Sequence, residues 1–562
     1  MSGRIKDIIM NVLEEASAVG ALSTPPCSFP SVIIETPKKE GFGDFSTNLA
    51  MLLAPLEGRP VREVARLLGD KITGASLDVL RCEVAGPGFI NIFLKESYWH
   101  GVLAEIVRKG GAYGDTDIGK GKKVQIEFVS ANPTGPLHIG HARNASVGDT
   151  LANVMKAAGF EVTKEYYIND AGLQVYTLGE SVRLRWLEMH CGKKVEFPTD
   201  YYKGEYVKEL ADEISRTYDS EILDRIPAGQ AQAVPLFQEF ACEAMLKMIK
   251  KDLQDFGVEF DVWYSEKEKL RDSGLVTGTM EKLRDKGFLY EKEGAIWFRT
   301  TDFGDDKDRV LMKADGELTY FASDCAYHLD KVKRGFSTVI NIWGADHHGY
   351  ETRVRAVFKA FGCDEGVLKI VFIQLVALTR GGVAMAMGKR EGEFVTLREV
   401  LDEVGKDAMR FFFLMRKSDA HLDFDLELAK KQAPENPVYY VQYCHARIMS
   451  IMGFAEEKGA RLSGEPGLEV LKELKLKEEL DIIKHLGTFE EVVEKSAVHL
   501  EPYRLTFYLR ELAGLFHPYY NRNRVVSENA ALTLARLFLC KAAATVIRKG
   551  LGLLGVSAPV KM

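Results

Sequence analysis

The stretch KVQIEFVSANPTGPLHIGHARNASVGDTLANVMKAAGFEVTKEYYIN, residues 123–169, decides the fold of the longest part of the chain. Its first eight residues are largely apolar, β-branched or aromatic, as expected of a buried strand. A loop rich in proline and glycine follows, and the next residues have helical spacing that is closed by Gly159. Residues 161–169 return to a strand pattern, so strand, loop, helix and strand fit inside about 45 residues, which suits one βαβ unit. The sequence therefore predicts a nucleotide-binding α/β domain with a parallel sheet.

The loop before the helix carries two histidines, His138 and His141, on either side of Gly140. In open α/β sheets, ligands bind beyond the carboxyl ends of the strands, where loop amides and helix N-termini point at them. Gly140 lets the backbone approach a ligand closely, and both histidines can donate to phosphate oxygens. We interpret the loop as a nucleoside triphosphate site. The alternative is that the two histidines only cap the helix.

Length, charge and cysteine usage bound the class of protein. A chain of 562 residues is too long for one core, so three or four domains are expected. The formal net charge of −7 argues against histone-like nucleic-acid binding and allows a local basic face. The eight cysteines form no C-x-x-C pair, so we expect no disulfide framework and no structural metal site. The N-terminal residues lack the apolar segment of a signal peptide, and no stretch approaches the roughly 18 consecutive apolar residues of a membrane span, which predicts a cytoplasmic protein.

Changes in composition divide the chain into four regions. Their predicted bounds are residues 1–118, 119–380, 381–434 and 435–562. The first region mixes helical and strand patterns, and the last, beyond Pro434, is almost wholly helical in pattern, which predicts a helix bundle.

The second region holds the βαβ unit and an interruption. Residues from about 192 to 265 are rich in charge and helix formers, and we interpret them as a helical insertion. Strand candidates resume after it, at GAIWFRT (294–300), LTYFAS (318–323), TVINIWGAD (338–346) and KIVFIQLVAL (369–378).

Longer motifs resemble one family of enzymes. H-I-G-H in a strand–loop–helix setting is the first signature of class I aminoacyl-tRNA synthetases. The stretch quoted above, together with LTYFASDCAYHLDK, WGADHHGY, the run from VTLREVLDEVGKDAMRFFF to YCHARI and the terminal LGLLGVSAPVKM, resembles arginyl-tRNA synthetases essentially from end to end. The resemblance implies an α/β, Rossmann-like parallel-sheet catalytic domain. It also implies an N-terminal α+β domain that recognises the tRNA elbow, a second-signature and stem-contact region at 381–434, and a C-terminal all-α helix bundle that binds the anticodon.

The resemblance also implies an activity: ATP-dependent attachment of L-arginine to tRNA(Arg), with Mg²⁺, through an arginyl-adenylate and without a covalent enzyme intermediate. We expect a monomer that does not engage a membrane. The candidate catalytic residues are His138, His141 and Lys389. The candidate ATP-binding residues are His138, Gly140, His141, Asp346 and Lys389.

An arginine pocket needs carboxylates for the guanidinium and an aromatic face beside it. Tyr320 and Asp324 are four residues apart and share one face if a helix starts there. The resemblance implies that Asp324 holds the guanidinium beside Tyr320, and that Glu127 and Asn132 lie nearer the α-amino and carboxylate groups. The alternative for Tyr320 is a core aromatic, and for Glu127 an exposed strand carboxylate.

WGADHHGY follows another strand candidate and contributes Asp346, His347 and His348. Adjacent strand residues point to opposite faces, so this run is a poor chelate for a metal. We expect contacts to adenosine or arginine instead, with His347 as the best single candidate for arginine.

The second signature of class I synthetases, K-M-S-K-S, matches MAMGKREGEFVTL imperfectly. The motif falls on Met387, Gly388, Lys389 and Arg390, with Ala386 in place of the first lysine. Some family members compensate with a lysine just before H-I-G-H, but that position is Gly135 here. One positive charge is therefore missing, and Arg390, Arg380 or the bound tRNA are the candidates to supply it; a solvated loop pair is the alternative for Lys389 and Arg390.

Candidate tRNA contacts lie at both ends of the chain. Single-stranded bases are read by stacking on aromatics and by hydrogen bonds, and NPVYYVQYCHAR with FHPYYNRNR interleaves tyrosines with arginines. The residues of interest are Tyr439, Tyr440, Tyr443, Tyr519, Tyr520, Arg447, Arg522 and Arg524, with Tyr439, Tyr443, Arg447 and Tyr520 as the primary candidates. Core packing is the alternative for about half of these tyrosines. In the N-terminal region, GFGDFSTN contributes Phe45 and Asn48.

Three other functions stay open on sequence alone. A class I synthetase for cysteine or glutamate is disfavoured by the absence of zinc-like cysteines and by the long N-terminal region. A nucleotidyltransferase with the same loop would be shorter and would lack the helical bundle. A tRNA-binding paralogue without catalysis is suggested only by Ala386 and Gly388.

Overall fold

The computed structural model describes residues 2–37, 41–218, 234–385 and 394–562. Its N-terminal region packs helices on a three-stranded antiparallel sheet of order β1-β3-β2, so the α+β prediction is confirmed. The elements are α1 (Ser2–Ala18), β1 (Phe45–Thr47), α2 (Leu49–Glu57), α3 (Val61–Ala75), β2 (Val79–Ala85), β3 (Phe89–Leu94) and α4 (Glu96–Lys109).

A five-stranded sheet forms the centre of the molecule, in the order β11-β10-β4-β5-β6, and every pairing in it is parallel. The elements of this region are β4 (Lys123–Glu127), α5 (Ile139–Ala157), β5 (Glu161–Ile168), α6 (Leu173–His190), α7 (Glu205–Thr217), α8 (Val234–Asp255), β6 (Val262–Ser265), α9 (Leu275–Asp285), β7 (Leu289–Lys292), β8 (Ala295–Phe298), β9 (Arg309–Met312), α10 (Tyr320–Lys333), β10 (Thr338–Gly344), α11 (Glu351–Ala360) and β11 (Leu368–Ile373). The predicted βαβ unit is β4-α5-β5, and its parallel pairing confirms the fold class.

Helix α5 is buried along most of its length because it packs between the central sheet and helices of the C-terminal region. Gly148 permits this close packing. A Cβ at that position would lie 2.3 Å from Cγ of Phe128, just beyond β4. The start of α5, which carries the two-histidine motif, is therefore held firmly at the carboxyl end of β4.

The helical insertion has different bounds from those predicted. Helix α6 belongs to it and begins at Leu173, because Trp186 and its neighbours share a separate core with α7 and α8. The insertion ends at Asp255, because Val262–Ser265 forms a strand that pairs with β5. The prediction of helix up to residue 265 was wrong: the short apolar run VWYS completes the sheet.

Two strand predictions also need correction. LTYFAS is not a strand, because α10 begins at Tyr320 and buries Phe321, Ala322 and Cys325 at helical spacing. GAIWFRT does contain a strand, but β8 lies in a separate antiparallel sheet, β7-β8-β9, outside the central one.

The apolar run at 369–378 is divided between two sheets. It forms β11 of the central sheet and then β12 of a small sheet of order β13-β12-β14, and residues 374 and 375 lie between them. The elements that follow β11 are β12 (Val376–Arg380), β13 (Val383–Ala384), α12 (Leu397–Val404), α13 (Lys406–Phe413), β14 (Leu422–Asp425), α14 (Leu426–Lys430), α15 (Pro437–Glu457), α16 (Leu468–Leu471), α17 (Lys477–Gly487), α18 (Phe489–Val498), α19 (Tyr503–Arg522) and α20 (Ala530–Leu553).

Helices α15 to α20 form the predicted C-terminal bundle, and the N-terminal region docks against it. The Tyr113 hydroxyl donates to the carbonyl of Leu486 at 3.3 Å, and the Lys109 ammonium pairs with Glu490 at 2.8 Å. By length and composition α20 could cross a membrane, but 67% of its most apolar stretch is buried inside the protein, as in a core helix of a bundle.

Candidate active site

A cavity of about 850 Å³ lies at the carboxyl ends of β4, β5 and β10. This is the edge of a parallel sheet where ligands bind. Most of the predicted ATP and arginine residues line it: Glu127, Asn132, His138, Gly140, His141, Asp324, Asp346 and His347. Among the predicted residues of these two sites that the structure describes, Tyr320 is the exception. Residues from three distant segments of the chain therefore meet in one cavity.

The two histidines both cap α5 and face the cavity. Nδ1 of His138 accepts a hydrogen bond from the Gly140 amide at 3.1 Å, and the His138 amide donates to Nδ1 of His141 at 3.2 Å. The rings stack with centroids 3.7 Å apart. Since each Nδ1 is an acceptor, the neutral rings carry their proton on Nε2. Capping and ligand binding are thus compatible, because the caps orient two Nε2 donors.

Burial keeps these histidines neutral. It lowers the pKa of His138, and it lowers the pKa of His141 to about 3, with the neighbouring ring adding to the effect. A neutral imidazole can still donate one hydrogen bond to a phosphate oxygen. The pair therefore offers two positioned donors, and not a buried positive charge, at the N-terminus of α5, where the helix dipole also favours an anion.

Asp324 lies one turn into α10 and faces the cavity. Burial raises the pKa of its carboxyl to about 7, the Tyr350 hydroxyl that donates to it opposes this rise, and the charges of Glu266 and Glu127 add to it. In the part of the chain that the structure describes, no lysine or arginine forms an ion pair with Asp324. Its negative charge is therefore available to a cationic ligand.

The two neighbouring carboxylates are already paired. Glu127 is only 9% exposed and accepts from the Lys331 ammonium at 2.5 Å, so the alternative of an exposed strand carboxylate is wrong. Glu266 is buried and pairs with Arg271 at 2.7 Å. Of these three carboxylates, Asp324 is therefore the one that no lysine or arginine of the described residues pairs with. Asp346 also lines the cavity, but its side chain is 81% exposed to solvent.

Tyr320 begins α10 and so shares one helix with Asp324, as its spacing predicted. Its side chain is 56% exposed and is not among those that line the cavity, so the core alternative is wrong, and contact with arginine stays a prediction. The Tyr320 hydroxyl lies about 3.8 Å from the Cβ position of Gly172. Asn132 does line the cavity, where its amide donates to the side chain of Gln174.

The WGADHHGY segment divides its side chains between two faces. A 3₁₀ helix at Ala345–Tyr350 follows β10; Asp346 and His347 line the cavity, and the His348 ring stacks on Phe372 at 3.6 Å. Among the described residues no group of three or more His, Cys, Asp or Glu side chains could hold a metal ion.

Sequence reasoning missed several residues of the cavity wall. Tyr350 ends the same motif and donates to Asp324, and Tyr167 and Gln374 line the wall from β5 and from the end of β11. Tyr350 could have been found from its place in the motif. The other two depend on which strands become neighbours, and the local pattern does not contain that information.

Comparison with known proteins places this fold and cavity in one family. Three family models match the chain: Arginyl tRNA synthetase N terminal domain at residues 3–94, tRNA synthetases class I (R), catalytic domain at 102–431, and DALR anticodon binding domain at 441–562. An arginine–tRNA ligase of Geobacter sp. (strain M21) is 50% identical over 565 residues and covers 100% of both chains. One of Geobacillus kaustophilus (strain HTA426) is 44% identical, covering 100% of this chain and 99% of its own.

The chain belongs to the arginyl-tRNA synthetase family. It is an aminoacyl-tRNA ligase. The arginyl-tRNA synthetase of Thermus thermophilus has the same fold, with a TM-score of 0.75 over 100% of this chain and 99% of that chain at 22% identity.

The predicted second signature, Ala386 to Arg390 with Lys389, lies outside the described residues. Arg380, a candidate for the missing positive charge, binds Glu403 and Glu427, each at 2.7 Å, and does not line the cavity. The charge of Arg380 is therefore already paired with these two glutamates.

A second cavity of about 1020 Å³ lies in the C-terminal bundle and contains three of the primary tRNA candidates. The Arg447 guanidinium lies over the rings of Tyr443 and Tyr520, at 4.6 and 4.8 Å from their centroids. Tyr439 stacks on Tyr443 at 5.7 Å but does not line the cavity. Exposed Phe454 also lines it, together with Arg524.

Other candidates for tRNA contact are buried. Tyr519 is 1% exposed and donates to Glu479, so it belongs to the core of the bundle. Phe45 is 4% exposed and stacks on Trp99, so it cannot offer a ring to a base; its prediction as a tRNA contact was wrong. Asn48 lies at the start of α2, and its Oδ1 is buried without a hydrogen-bond partner in the structure.

Proposed function

We propose that this synthetase activates L-arginine with ATP and transfers the arginyl group to the 3′ end of tRNA(Arg). The observation that carries the proposal is the carboxylate of Asp324, which faces a cavity that the two-histidine loop also lines and forms no ion pair with a lysine or arginine of the described residues. A guanidinium supplies the missing positive charge and a planar set of donors that matches a carboxylate.

The reaction has two steps. First, a carboxylate oxygen of arginine attacks the α-phosphorus of ATP in line, the bond to the bridging oxygen breaks, and pyrophosphate leaves. Then a hydroxyl of the terminal ribose of the tRNA attacks the carbonyl carbon of the adenylate, and AMP leaves. Both steps depend on positioning the reactants and on stabilising charge at phosphorus.

The proposed roles follow from the donors that each residue offers. His138 and His141 donate from Nε2 to phosphate oxygens near the N-terminus of α5. Lys389, on sequence grounds, neutralises the leaving pyrophosphate. Asp346 and Gly140 contribute to ATP binding.

The arginine side of the cavity would be served by four residues. Asp324 holds the guanidinium, and Glu127, Asn132 and His347 serve the rest of the amino acid. Tyr320 is assigned to the same side, because its exposed ring is free to contact the substrate or the bound tRNA end.

Mg²⁺ fits this cavity as an ion carried by ATP. Mg²⁺ keeps several waters and is commonly held by substrate phosphates with one or two carboxylates, so it does not need a protein cage. Asp346, whose side chain is 81% exposed, is the carboxylate nearest to such a role. When bound, the ion would neutralise phosphate charge.

The same proposal extends to the setting of the enzyme. We propose a cytoplasmic monomer that does not engage a membrane. The aromatic and arginine surface of Tyr443, Arg447 and Tyr520 would receive the anticodon, since bases stack on aromatic rings and on guanidinium planes and all three side chains line the C-terminal cavity.

ATP–pyrophosphate exchange with each of the twenty amino acids, with and without tRNA, tests the proposal. Only arginine is expected to support exchange, and lysine is expected to fail because it lacks the planar fork. Exchange driven by another amino acid contradicts the assignment, and no exchange with any amino acid would favour a tRNA-binding paralogue.

Asp324→Asn localises the pocket. The change keeps the shape of the side chain and removes its charge, and it is expected to cost about 2–5 kcal/mol in arginine use with ATP affinity nearly unchanged. Asp330→Asn is the matched control, because Asp330 lies on the same helix and pairs with Arg334 outside the cavity. Equal effects of the two variants would show that the arginine pocket is elsewhere.

A further inference from the structure

Arg143 is a buried cation that the proposed mechanism does not use. It lies two residues beyond His141 on α5 and is 0% exposed. Burial lowers the pKa of its guanidinium to about 10, so the group is still charged at neutral pH. No ion pair satisfies it among the residues that the structure describes, and its Nε has no hydrogen-bond partner.

Three backbone carbonyls solvate this charge. Nη1 donates to Gln374 at 2.8 Å and to Ala420 at 2.9 Å, and Nη2 donates to Lys417 at 2.8 Å. The backbone N–H of Gln374 also donates to the carbonyl of Ser418 at 2.8 Å. The guanidinium therefore joins the end of β11 to the loop that precedes β14.

These carbonyls lie where the chain passes from the central sheet to the small sheet. Gln374 and Leu375 line the active-site cavity, and β12 begins with the next residue. Strand β14 pairs in parallel with β12. Arg143 thus fixes one wall of the cavity, and the small sheet behind that wall, relative to the helix that carries His138 and His141.

Residues 394–397, which follow the predicted second signature, contact the start of the two-histidine motif. The Leu397 amide donates to the carbonyl of Leu137 at 2.7 Å, and His138 forms an antiparallel bridge with Thr396. The Phe394 ring lies 5.9 Å from the His138 ring. Residues 396 and 397 are therefore anchored on residues 137 and 138, and Gln374 is anchored on Arg143.

We propose that Arg143 is a positioning residue for adenylate formation. It holds the helix that carries the two-histidine motif at a fixed distance from Gln374 and Leu375 in the cavity wall, and so aligns the two histidines with the reactants bound there. The inference rests on the proposed function. Misplacing reacting groups by about 1 Å can cost on the order of 100-fold in rate. Losing the guanidinium that holds three carbonyls together is expected to shift the cavity wall by a distance of that order.

Arg143→Lys and Arg143→Met separate positioning from folding. Lysine keeps the charge but cannot reach three carbonyls in a fork, and methionine fills the space without charge. Val154→Ala is the matched control, since Val154 is 0% exposed on the same helix and lies about 16 Å further along it. The purified full-length variants are compared in four measurements: thermal unfolding, binding of ATP and of arginine, single-turnover adenylate formation, and transfer from preformed adenylate to tRNA.

The expected result is specific to one step. Both Arg143 variants should slow adenylate formation by on the order of 100-fold, with binding constants within about threefold of wild type and transfer nearly unchanged. Val154→Ala should lower the unfolding temperature without slowing adenylate formation. The inference is overturned if Arg143→Lys forms adenylate at the wild-type rate, or if both steps and both binding constants deteriorate together. A wild-type protein that shows no arginine-dependent exchange would refute the proposed function instead.

Discussion

Tyrosines line both large cavities of the synthetase, but the charged group of interest is a carboxylate in the central cavity and a guanidinium in the C-terminal cavity. Around the central cavity, Lys331 and Arg271 neutralise Glu127 and Glu266, whereas no lysine or arginine of the described residues pairs with Asp324. In the C-terminal cavity, the cation Arg447 lies over the rings of Tyr443 and Tyr520.

The difference fits two kinds of recognition. A buried charge without a partner favours one small ligand of opposite charge, because an uncharged competitor leaves that charge desolvated and unpaired. Exposed rings and a guanidinium accept the face of a nucleic-acid base, where shape and stacking matter more than one ion pair.

The largest effect is expected from Lys389→Ala. If Lys389 alone supplies the positive charge at the leaving pyrophosphate, its loss should slow adenylate formation by about 100- to 1000-fold and leave tRNA affinity nearly intact. Single-turnover adenylate formation measures this, with Arg390→Ala beside it. A silent Lys389→Ala would mean that AMGKR is not the second signature.

In the C-terminal cavity, Tyr443→Leu should weaken tRNA use and nothing else. Removing one stacking surface is expected to cost about 1–3 kcal/mol in kcat/KM for tRNA, with the KM for ATP unchanged. Tyr519→Leu provides the contrast, because that buried ring should lower stability instead. If Tyr443→Leu raised the KM for arginine to the same extent, the two cavities would not have separate tasks.

The central cavity should make arginine binding depend on pH. The pKa of Asp324 in the empty enzyme is raised to about 7, and only the ionised carboxylate binds a guanidinium, so affinity is present above that pKa and lost as the pH falls through it. Arginine affinity should therefore drop by about tenfold from pH 8 to pH 6, since the ionised fraction changes by that factor.

Tyr350→Phe and the ATP side provide checks on this pH dependence. The Tyr350 hydroxyl lowers the pKa of Asp324, so its removal should shift the loss of arginine affinity to higher pH. ATP affinity should stay level over the same range, since the pKa values of both histidines are already lowered by burial. A pH-independent KM for arginine would contradict the assignment of Asp324.

The smallest effect is expected from Ala386→Lys. Restoring the lysine of the family pattern adds charge near the leaving group and should raise the rate of adenylate formation a few-fold, on the order of 1 kcal/mol, most clearly without tRNA. Pyrophosphate exchange with and without tRNA measures it. An unchanged rate would indicate that Arg390 or the bound tRNA already supplies that charge.

The sequence predicted those parts of the molecule that local pattern determines. The βαβ unit around residues 123–169 is found as predicted, because buried strands and a glycine-closed helix leave clear periodicities. The prediction of a strand at LTYFAS was wrong, because a short apolar run fits a strand and the buried first turn of a helix equally well. Phe45 was misjudged for a related reason: whether an aromatic is buried depends on partners such as Trp99, which is far away in the chain. For Tyr519, which contacts Glu479, the core alternative left open by the sequence is the one observed.

The electrostatics of the central cavity could not be predicted from the sequence. Glu127 and Lys331 are 204 residues apart, and nothing in the local pattern indicates that they neutralise each other. The Tyr350–Asp324 contact and the three carbonyls around Arg143 depend in the same way on tertiary neighbours. Most of the ATP and arginine residues that the sequence identified line the cavity, and only the structure shows which of their charges are paired.

Calorimetric titration of arginine against citrulline, with tRNA present, tests the central assignment most directly. Citrulline has nearly the shape of arginine but no charge, so the wild-type protein and Asp330→Asn should bind arginine more tightly by about 2–5 kcal/mol, and Asp324→Asn should lose most of that preference. If Asp324→Asn preferred arginine over citrulline as strongly as the wild type does, the free carboxylate of the cavity would not be the guanidinium partner, and the account would be wrong.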